Sequence, residues 1–183
     1  MEPFEESVML ESMQVLIDTR EQPTEIAKKR YESFGVPYER RKLEYGDYTY
    51  TARKPDGTWI YSDDDKIYPH LAIERKMNLD ELAMCFTHDR DRFEREFERA
   101  KEHNAKIMLL VEDATWENLL NGKYRSKFKP KAFAASLCAY ISRYGITLVF
   151  CKAETTGRII HDLLYYDLRE KIMEGCFDET GRD

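Results

Sequence analysis

Two continuous apolar runs in the second half of the chain restrict its fold more than any other feature. "KIMLLVE" (106–112) and "ITLVFC" (146–151) lack the alternation of a half-exposed strand. Such runs are typical of strands buried on both faces of a parallel sheet. Helical patterns separate and follow them, and residues 13–18 and 71–76 predict further strands. This order of elements predicts an α/β fold with a mixed central sheet flanked by helices on both faces.

The length suits one domain. The 183 residues contain 42% hydrophobic residues and no linker long enough to divide the chain, which indicates a single hydrophobic core. We therefore expect a single domain over residues 13–175. The acidic N-terminal segment 1–12 is expected to fray, and residues 176–183 form an acidic tail.

The net charge of −6 is concentrated at the two ends. Residues 1–12 carry −4 and residues 176–183 carry −2, so residues 13–175 are neutral overall. Location matters more than total charge for a polyanionic partner. A neutral body is compatible with a basic face for a phosphate backbone and an acidic pocket for a metal ion.

Several classes of protein are disfavoured by the sequence. No apolar run approaches the ~20 residues of a membrane span, and the acidic start "MEPFEESVMLES" is unlike a secretory signal. We expect no membrane partner and an intracellular location. The cysteines and histidines lack the spacing of a zinc site, and reduced thiols are expected. The four cysteines are Cys85, Cys138, Cys151 and Cys176.

The strand "LAIERK" (71–76) ends on three adjacent charges. Because residues two apart on a strand share a face, Glu74 and Lys76 point together and Arg75 points to the other face. Taken alone, this stretch fits a solvated strand end and the edge of an active site equally well.

Two further acids favour the active site. Asp47 follows Gly46 at the start of a strand, and Asp18 ends the first strand. Clustered carboxylates raise each other's proton affinity, so a divalent cation such as Mg²⁺, which takes one or two carboxylates, would stabilise them. A lysine beside this cluster can orient a water or offset charge on a phosphate. Two acids, a lysine and a metal ion together suggest hydrolysis of a phosphodiester bond.

Three motifs together resemble a known family. "LIDTRE" (16–21), "GDY" (46–48) and "IERKMNLDEL" (73–82) are similar to the D-x-R-E and G-D…E-R-K-x-x-x-D segments of the XPF-type (ERCC4 domain) structure-specific endonucleases. That family belongs to the PD-(D/E)xK nuclease superfamily. The resemblance covers about residues 13–170 and is nearest to small stand-alone bacterial or phage members, which implies the cytoplasm of a bacterium or a phage-infected cell. It implies a restriction-endonuclease-like fold.

The resemblance also implies residue roles. Asp47 and Glu74 would bind Mg²⁺ or Mn²⁺ with the backbone carbonyl of Arg75 as a third ligand, and Lys76 would be the catalytic lysine. Asp18 would lie near the metal and bind it through water. No small-molecule cofactor is expected. The supporting residues would be Arg20, Glu21 and Asp80.

Some features depart from the family pattern or allow two interpretations. The segment 54–66 lengthens the spacing between Asp47 and Glu74 and predicts an extended hairpin with a solvated loop at 63–65. No helix-hairpin-helix or helicase segment is present within the 183 residues. Asp80 lies in the first turn of a predicted helix, where a carboxylate favours the helix dipole, so a site role and a structural role can coexist.

The segment "KYRSKFKPK" (123–131) is the predicted DNA contact. It contains five basic residues, no acids and two aromatics, although an ordinary basic loop would look the same. His88 either approaches the scissile phosphate or lies at a helix end. Arg92 and Glu96 are expected to support the site, whereas acids intersperse the other arginines of that helix and indicate a solvated face. The basic residues are Lys123, Arg125, Lys127, Lys129 and Lys131.

The leading hypothesis is a metal-dependent DNA endonuclease acting on branched or single-strand/duplex junction DNA, in repair, recombination or phage DNA processing. A restriction-like or Holliday-junction nuclease would have the same fold. The alternative is a catalytically silent nuclease fold that binds DNA or a partner subunit, and the intact acid–acid–lysine set argues against it. A homodimer is expected because the family's nuclease domains pair. Aromatic residues of the last helices would supply the dimer contact, and core packing explains them nearly as well: Tyr140, Tyr144, Tyr165 and Tyr166.

Overall fold

A mixed sheet lies at the centre of the molecule. The computed structural model describes residues 2–62 and 66–177, and in these ranges six strands form one sheet in the order β2-β1-β3-β4-β5-β6. Strand β3 is antiparallel to β1 and β4, whereas β1–β2, β4–β5 and β5–β6 are parallel pairs. The strands are β1 (Gln14–Ile17), β2 (Tyr38–Arg40), β3 (Tyr48–Thr51), β4 (Leu71–Lys76), β5 (Lys106–Glu112) and β6 (Thr147–Cys151).

Helices cover both faces of the sheet and confirm the predicted fold class. Side chains of β5 alternate between two apolar layers: Ile107 and Leu109 pack with α3, α4, α5 and α6, and Met108 and Leu110 pack with α1, α2 and α7. None of the helices in the described ranges is both long enough and apolar enough to span a membrane. The helices are α1 (Pro3–Glu11), α2 (Glu25–Glu32), α3 (Leu79–Cys85), α4 (Arg90–Glu102), α5 (Trp116–Leu120), α6 (Pro130–Tyr144) and α7 (Thr156–Met173).

The N-terminal segment differs from the expectation that it frays. Residues Pro3–Glu11 form α1, and the Met9 side chain is fully buried in the apolar layer that also contains α7 residues such as Leu168. The acidic residues of the segment predict fraying, but the burial of Met9 anchors the helix. The acidic tail lies outside the described residues from position 178 onward.

The segment between β3 and β4 contains a shorter hairpin than predicted. Arg53 forms an isolated antiparallel bridge with Trp59, and the Lys54 amide donates to the Thr58 carbonyl at 2.7 Å. Beyond this turn no second strand is formed in the described residues before β4 begins at Leu71. Pro69 is consistent with this limit, because proline cannot donate to a strand ladder. The predicted solvated loop at 63–65 lies outside the described residues.

Gly46 has two reasons to be glycine. Its φ is +74°, in the left-handed region that other residues rarely adopt. A Cβ atom at this position would also lie 2.7 Å from the Cβ of Ala72 on β4. The backbone before Asp47 can therefore approach β4 only because residue 46 has no side chain.

Replacing Gly46 by alanine should destabilise the protein more than the same change at Gly35. Gly35 has a similar φ of +72°, but nothing lies within 4 Å of its added Cβ. We expect Gly35→Ala to cost ~1–2 kcal/mol for the left-handed conformation alone. Gly46→Ala should cost roughly 2–5 kcal/mol, because overpacking adds to that strain. Urea unfolding of both variants measures the difference, and equal losses would contradict the close contact with Ala72.

Candidate active site

The pairing of β3 with β4 brings the predicted acids together. Tyr48 lies opposite Ile73, and the Asp47 amide donates to the Ile73 carbonyl at 2.9 Å. The Arg75 amide in turn donates to Asp47 Oδ2 at 2.7 Å. The side chain of Asp47 is therefore fixed beside the end of β4, where Glu74 lies.

Glu74 and Lys76 occupy one face of β4, as the strand alternation predicts. Both residues are buried, with 6% and 7% of their surfaces exposed, and the Lys76 Nζ donates a hydrogen bond to Glu74 Oε1. The ammonium also lies 5.5 Å from the centre of the Phe93 ring on α4, where the face of the ring attracts a cation. These contacts hold Lys76 at the floor of the site.

The carboxylates of the site are buried and repel one another. Burial, and then repulsion from Glu74, hold the pKa of Asp47 well above its usual range. The same two causes raise the pKa of Glu96, whose Oε1 accepts a 2.9 Å hydrogen bond from the Gly46 amide. Burial acts to lower the pKa of Lys76, but attraction to Glu74 and Asp47 outweighs it and leaves that pKa raised. The lysine is therefore a cation, and the acids around it exceed its charge.

A cleft of about 390 Å³ contains these groups and has a cationic wall. The wall is formed by Arg92, Arg95 and Arg99 of α4, which lie at i, i+3 and i+7 and so share one helix face. Arg92 and Glu96 were expected to support the site. The acids around Arg95 and Arg99 predict a solvated face, and Arg95 is exposed, but both side chains also line the cleft. Their helical spacing was the signal that could have found them.

Arg75 points to the opposite face of β4 and pairs with a residue that the motifs did not reveal. Its guanidinium donates to both oxygens of Glu112 on β5, at 2.9 and 2.8 Å. Glu112 is only 2% exposed and also lies 3.5 Å from Arg30 Nε. Burial acts to raise the pKa of Glu112, but the hydrogen bonds from Arg75 and Thr156 and the charges of Arg75 and Arg30 together outweigh it, so the pKa is lowered and the carboxylate is charged. The pair anchors the strand that carries Glu74 and Lys76.

Hydrogen-bond donors of the protein itself use the carboxylate oxygens of Asp18. Its two carboxylate oxygens accept hydrogen bonds from the Arg20 amide at 2.6 Å, the Arg20 side chain at 2.8 and 2.9 Å and the Leu43 amide at 2.9 Å. The side chain is 1% exposed. Because four donors use these oxygens, the geometry does not support the predicted metal role through water. It supports a role in positioning Arg20, which lines the cleft.

Glu21 lies on the same side of β4 as Arg75 and joins its charge network. It accepts hydrogen bonds from Tyr48 Oη at 2.6 Å and Arg30 Nη1 at 3.1 Å, and Arg75 Nη1 lies 3.7 Å away. Glu21 also lines the cleft. The predicted supporting residues Arg20 and Glu21 are thus both placed at the site.

Asp80 connects the start of α3 to the predicted DNA contact. Its carboxylate accepts hydrogen bonds from the amides of Arg125 and Ser126, both at 2.7 Å, and lies 3.3 Å from Arg125 Nε. Asp80 lines a second cavity instead of the cleft, and so does His88. Neither residue reaches the pocket that contains Asp47 and Glu74.

The predicted ligands fit a hard divalent cation. No group of three or more His, Cys, Asp or Glu side chains is arranged as a metal cluster in ranges 2–62 and 66–177. Asp47 and Glu74 nevertheless form an oxygen-only pair, and Mg²⁺ or Mn²⁺ needs only one or two carboxylates together with water and phosphate oxygens. Burial and the neighbouring Glu74 carboxylate raise the pKa of Asp47, and a cation bound there would offset both effects.

Removing the charge of Glu112 should destabilise the fold. Glu112→Gln keeps the side-chain shape but leaves Arg75 and Arg30 to share Glu21 as a counter-charge within the described residues. We expect a loss of roughly 3 kcal/mol, at the lower end for breaking a buried ion pair. The matched control is Asp113→Asn, whose partner Lys152 lies 3.5 Å away in an exposed pair and should cost at most about 1 kcal/mol. Urea unfolding compares the two, and equal losses would contradict the anchoring role.

Comparison with known protein families identifies one match. The chain matches the ERCC4 domain over residues 17–163, a range that includes every residue of the cleft described above. Comparison with curated proteins gave no match.

Two solved structures share the fold. XPF from Aeropyrum pernix is 23% identical with a TM-score of 0.56, and the match covers 84% of this chain and 61% of that protein. XPF from Aeropyrum pernix in complex with DNA is 21% identical with a TM-score of 0.57, covering 92% and 76% respectively. The match thus spans about three fifths of the first of these proteins, and at this identity the likeness concerns the fold.

Proposed function

We propose a function for this chain from the premise that it belongs to the ERCC4 domain family. It has the fold of an XPF nuclease domain and is a member of a family of DNA endonucleases. The finer proposal is that it hydrolyses phosphodiester bonds of branched or junction-containing DNA and depends on Mg²⁺ or Mn²⁺.

One observation carries this proposal. Asp47, Glu74 and Lys76 meet in a single cleft, although Asp47 comes from a different strand, and burial and repulsion from Glu74 raise the pKa of Asp47 there. Such strongly perturbed carboxylates in a cleft indicate a functional site. A catalytically silent relative would have no reason to keep a charged lysine and two costly carboxylates buried together.

The residues of the cleft would divide the chemistry as follows. A divalent cation held by Asp47, Glu74 and the Arg75 carbonyl would supply Lewis-acid polarisation of the phosphate and a more acidic water. Lys76 would donate a hydrogen bond to the water or to a phosphate oxygen while its charge offsets the developing negative charge. Glu96 holds the Gly46 amide and so keeps Asp47 in place. By family analogy, the products would carry a 5′-phosphate and a 3′-hydroxyl.

The two basic surfaces would hold the DNA. The arginine wall of α4 faces the cleft, and the five basic residues of 123–131 are exposed beyond α3. Cationic side chains in the cleft and beside the neighbouring cavity suit a phosphate backbone. The Aeropyrum pernix protein of the same fold forms a complex with DNA, which supports DNA as the partner here.

A homodimer and an intracellular location are further proposals. Tyr140 is 2% exposed and belongs to the core, so core packing accounts for it, whereas Tyr166 on α7 is 54% exposed. Tyr166 is the better candidate for a surface shared between two copies. Sedimentation measurements of the purified chain would test this assembly.

Purified protein with Mg²⁺ or Mn²⁺ should nick forked or flapped DNA, and two variants should stop it. Asp47→Asn keeps an acceptor for the Arg75 amide but removes the charge, and Lys76→Met removes the ammonium. We expect each to lower the cleavage rate by at least about 10²-fold, the loss typical when a charge-stabilising group is removed. The assay compares labelled fork, flap, nicked, four-way and linear DNA.

Asp56→Asn is the control for this assay, since Asp56 accepts its hydrogen bonds from Thr58 in an exposed turn. It should cut like the unchanged protein. If Asp47→Asn and Lys76→Met also cut at the original rate, the site is misassigned and a contaminating nuclease explains the activity.

Calorimetric titration with Mn²⁺ tests the metal site without relying on cleavage. The unchanged protein should bind the ion, and Asp47→Asn should weaken binding by roughly tenfold or more, because the site loses one of two charged ligands. Asp56→Asn should bind as the unchanged protein does. Binding that is identical in all three proteins would place the ion elsewhere.

A further inference from the structure

A second cavity lies beside the active-site cleft, on the other side of the first turn of α3. Asp80 lines this cavity and its neighbour Glu81 lines the cleft. The cavity has a volume of about 780 Å³, within the ~300–1,000 Å³ of ordinary ligand pockets. A strand of DNA that leaves the cleft past α3 would meet it at once.

The cavity has an apolar wall that is fixed in place. Phe128 is half-buried, and its ring lies 5.3 Å from the ring of Phe133 in the core. Its amide donates to Ser126 Oγ at 3.2 Å, and its carbonyl accepts from Tyr124 Oη at 2.7 Å. The second apolar side chain of the cavity, Met84, is 52% exposed. An aromatic ring and a thioether, both accessible, suit a flat apolar ligand.

The rim of the cavity is basic. From 123 to 130, exposed basic residues alternate with half-buried residues, so the basic side chains face solvent. Arg125 pairs with Asp80, which fixes the segment against α3. Within the described residues the other basic members have no carboxylate at salt-bridge distance. They are Lys123, Lys127, Lys129 and Lys131.

We propose that this cavity receives one unpaired nucleotide of a single strand that leaves the cleft. The base would lie against Phe128 and Met84, and the flanking phosphates would follow Lys127 and Lys129. A base inside a duplex cannot reach such a pocket without leaving the stack, so the cavity distinguishes single-stranded from paired DNA. This inference rests on the proposed function and names the part of the substrate that the chain would recognise.

The test is binding of forked DNA in which a stable abasic analogue replaces one nucleotide at a time along each single-stranded arm. Binding is measured by fluorescence anisotropy in EDTA, so that the DNA stays intact. Loss of one stacked base should weaken binding roughly 5- to 150-fold at one position and little elsewhere. A flat scan along both arms would overturn the proposal.

A pair of matched variants assigns the effect to the cavity. Met84→Glu places a negative charge in the pocket, so it should weaken binding and remove the sensitivity to the abasic position. Met173→Glu makes the same exchange at a 62% exposed position at the end of α7, in the layer on the opposite face of the sheet, and should change neither. If Met84→Glu does not fold, Met84→Ala replaces it in the same binding comparison, because it shortens the side chain without adding a charge. Equal behaviour of the Met84 and Met173 variants would overturn the proposal.

Cleavage of the same forks with Mn²⁺ distinguishes failure of this inference from failure of the proposed endonuclease function. A flat abasic scan with normal cleavage would reject the nucleotide site alone. Absence of both binding and cleavage would reject the nucleotide site together with the endonuclease function.

Discussion

The antiparallel contact between β3 and β4 is the constraint on which the site depends. It places Asp47 opposite the end of β4 through the Asp47–Ile73 and Arg75–Asp47 hydrogen bonds. Only a glycine at position 46 lets the two backbones come so close to Ala72. Backbone geometry thus holds Asp47 and Glu74 together although their carboxylates repel each other. Because a bound cation would relieve this repulsion, the pair favours cation binding.

Strand β4 separates two sets of charged residues that have different roles. On one face, Glu74 and Lys76 reach the cleft; on the other, Arg75 is held by Glu112 with Arg30 and Glu21 nearby. Buried charges are costly unless they are paired and hydrogen-bonded, and every charge on the second face has such a partner. The paired face therefore gives a firm support to the face that carries Glu74 and Lys76.

Much of this arrangement could be predicted from local pattern, because strand alternation and helical spacing are local properties. The alternation of β4 places Glu74 and Lys76 together, and the apolar runs identify the strands β5 and β6. The predicted burial on both faces is confirmed for β5 and wrong for β6, which is a half-buried edge strand. Glu112 could not be found in this way, because its partner Arg75 is distant in the chain and no spacing connects them. Asp18 shows the converse difficulty: its position at a strand end suggested a ligand, but Arg20 and the Leu43 amide use its oxygens. Which acids are free and which are occupied depends on tertiary contacts.

The burial of Met9 has a practical consequence for defining this domain. The family match extends over residues 17–163, whereas the apolar layer behind the sheet also includes Met9 and Met13 before it and Leu164, Leu168 and Ile172 after it. The unit that recurs between relatives is therefore smaller than the unit that folds. A chain trimmed to the shared boundaries would keep every catalytic candidate and yet expose one side of its core, so soluble expression should require the flanking helices.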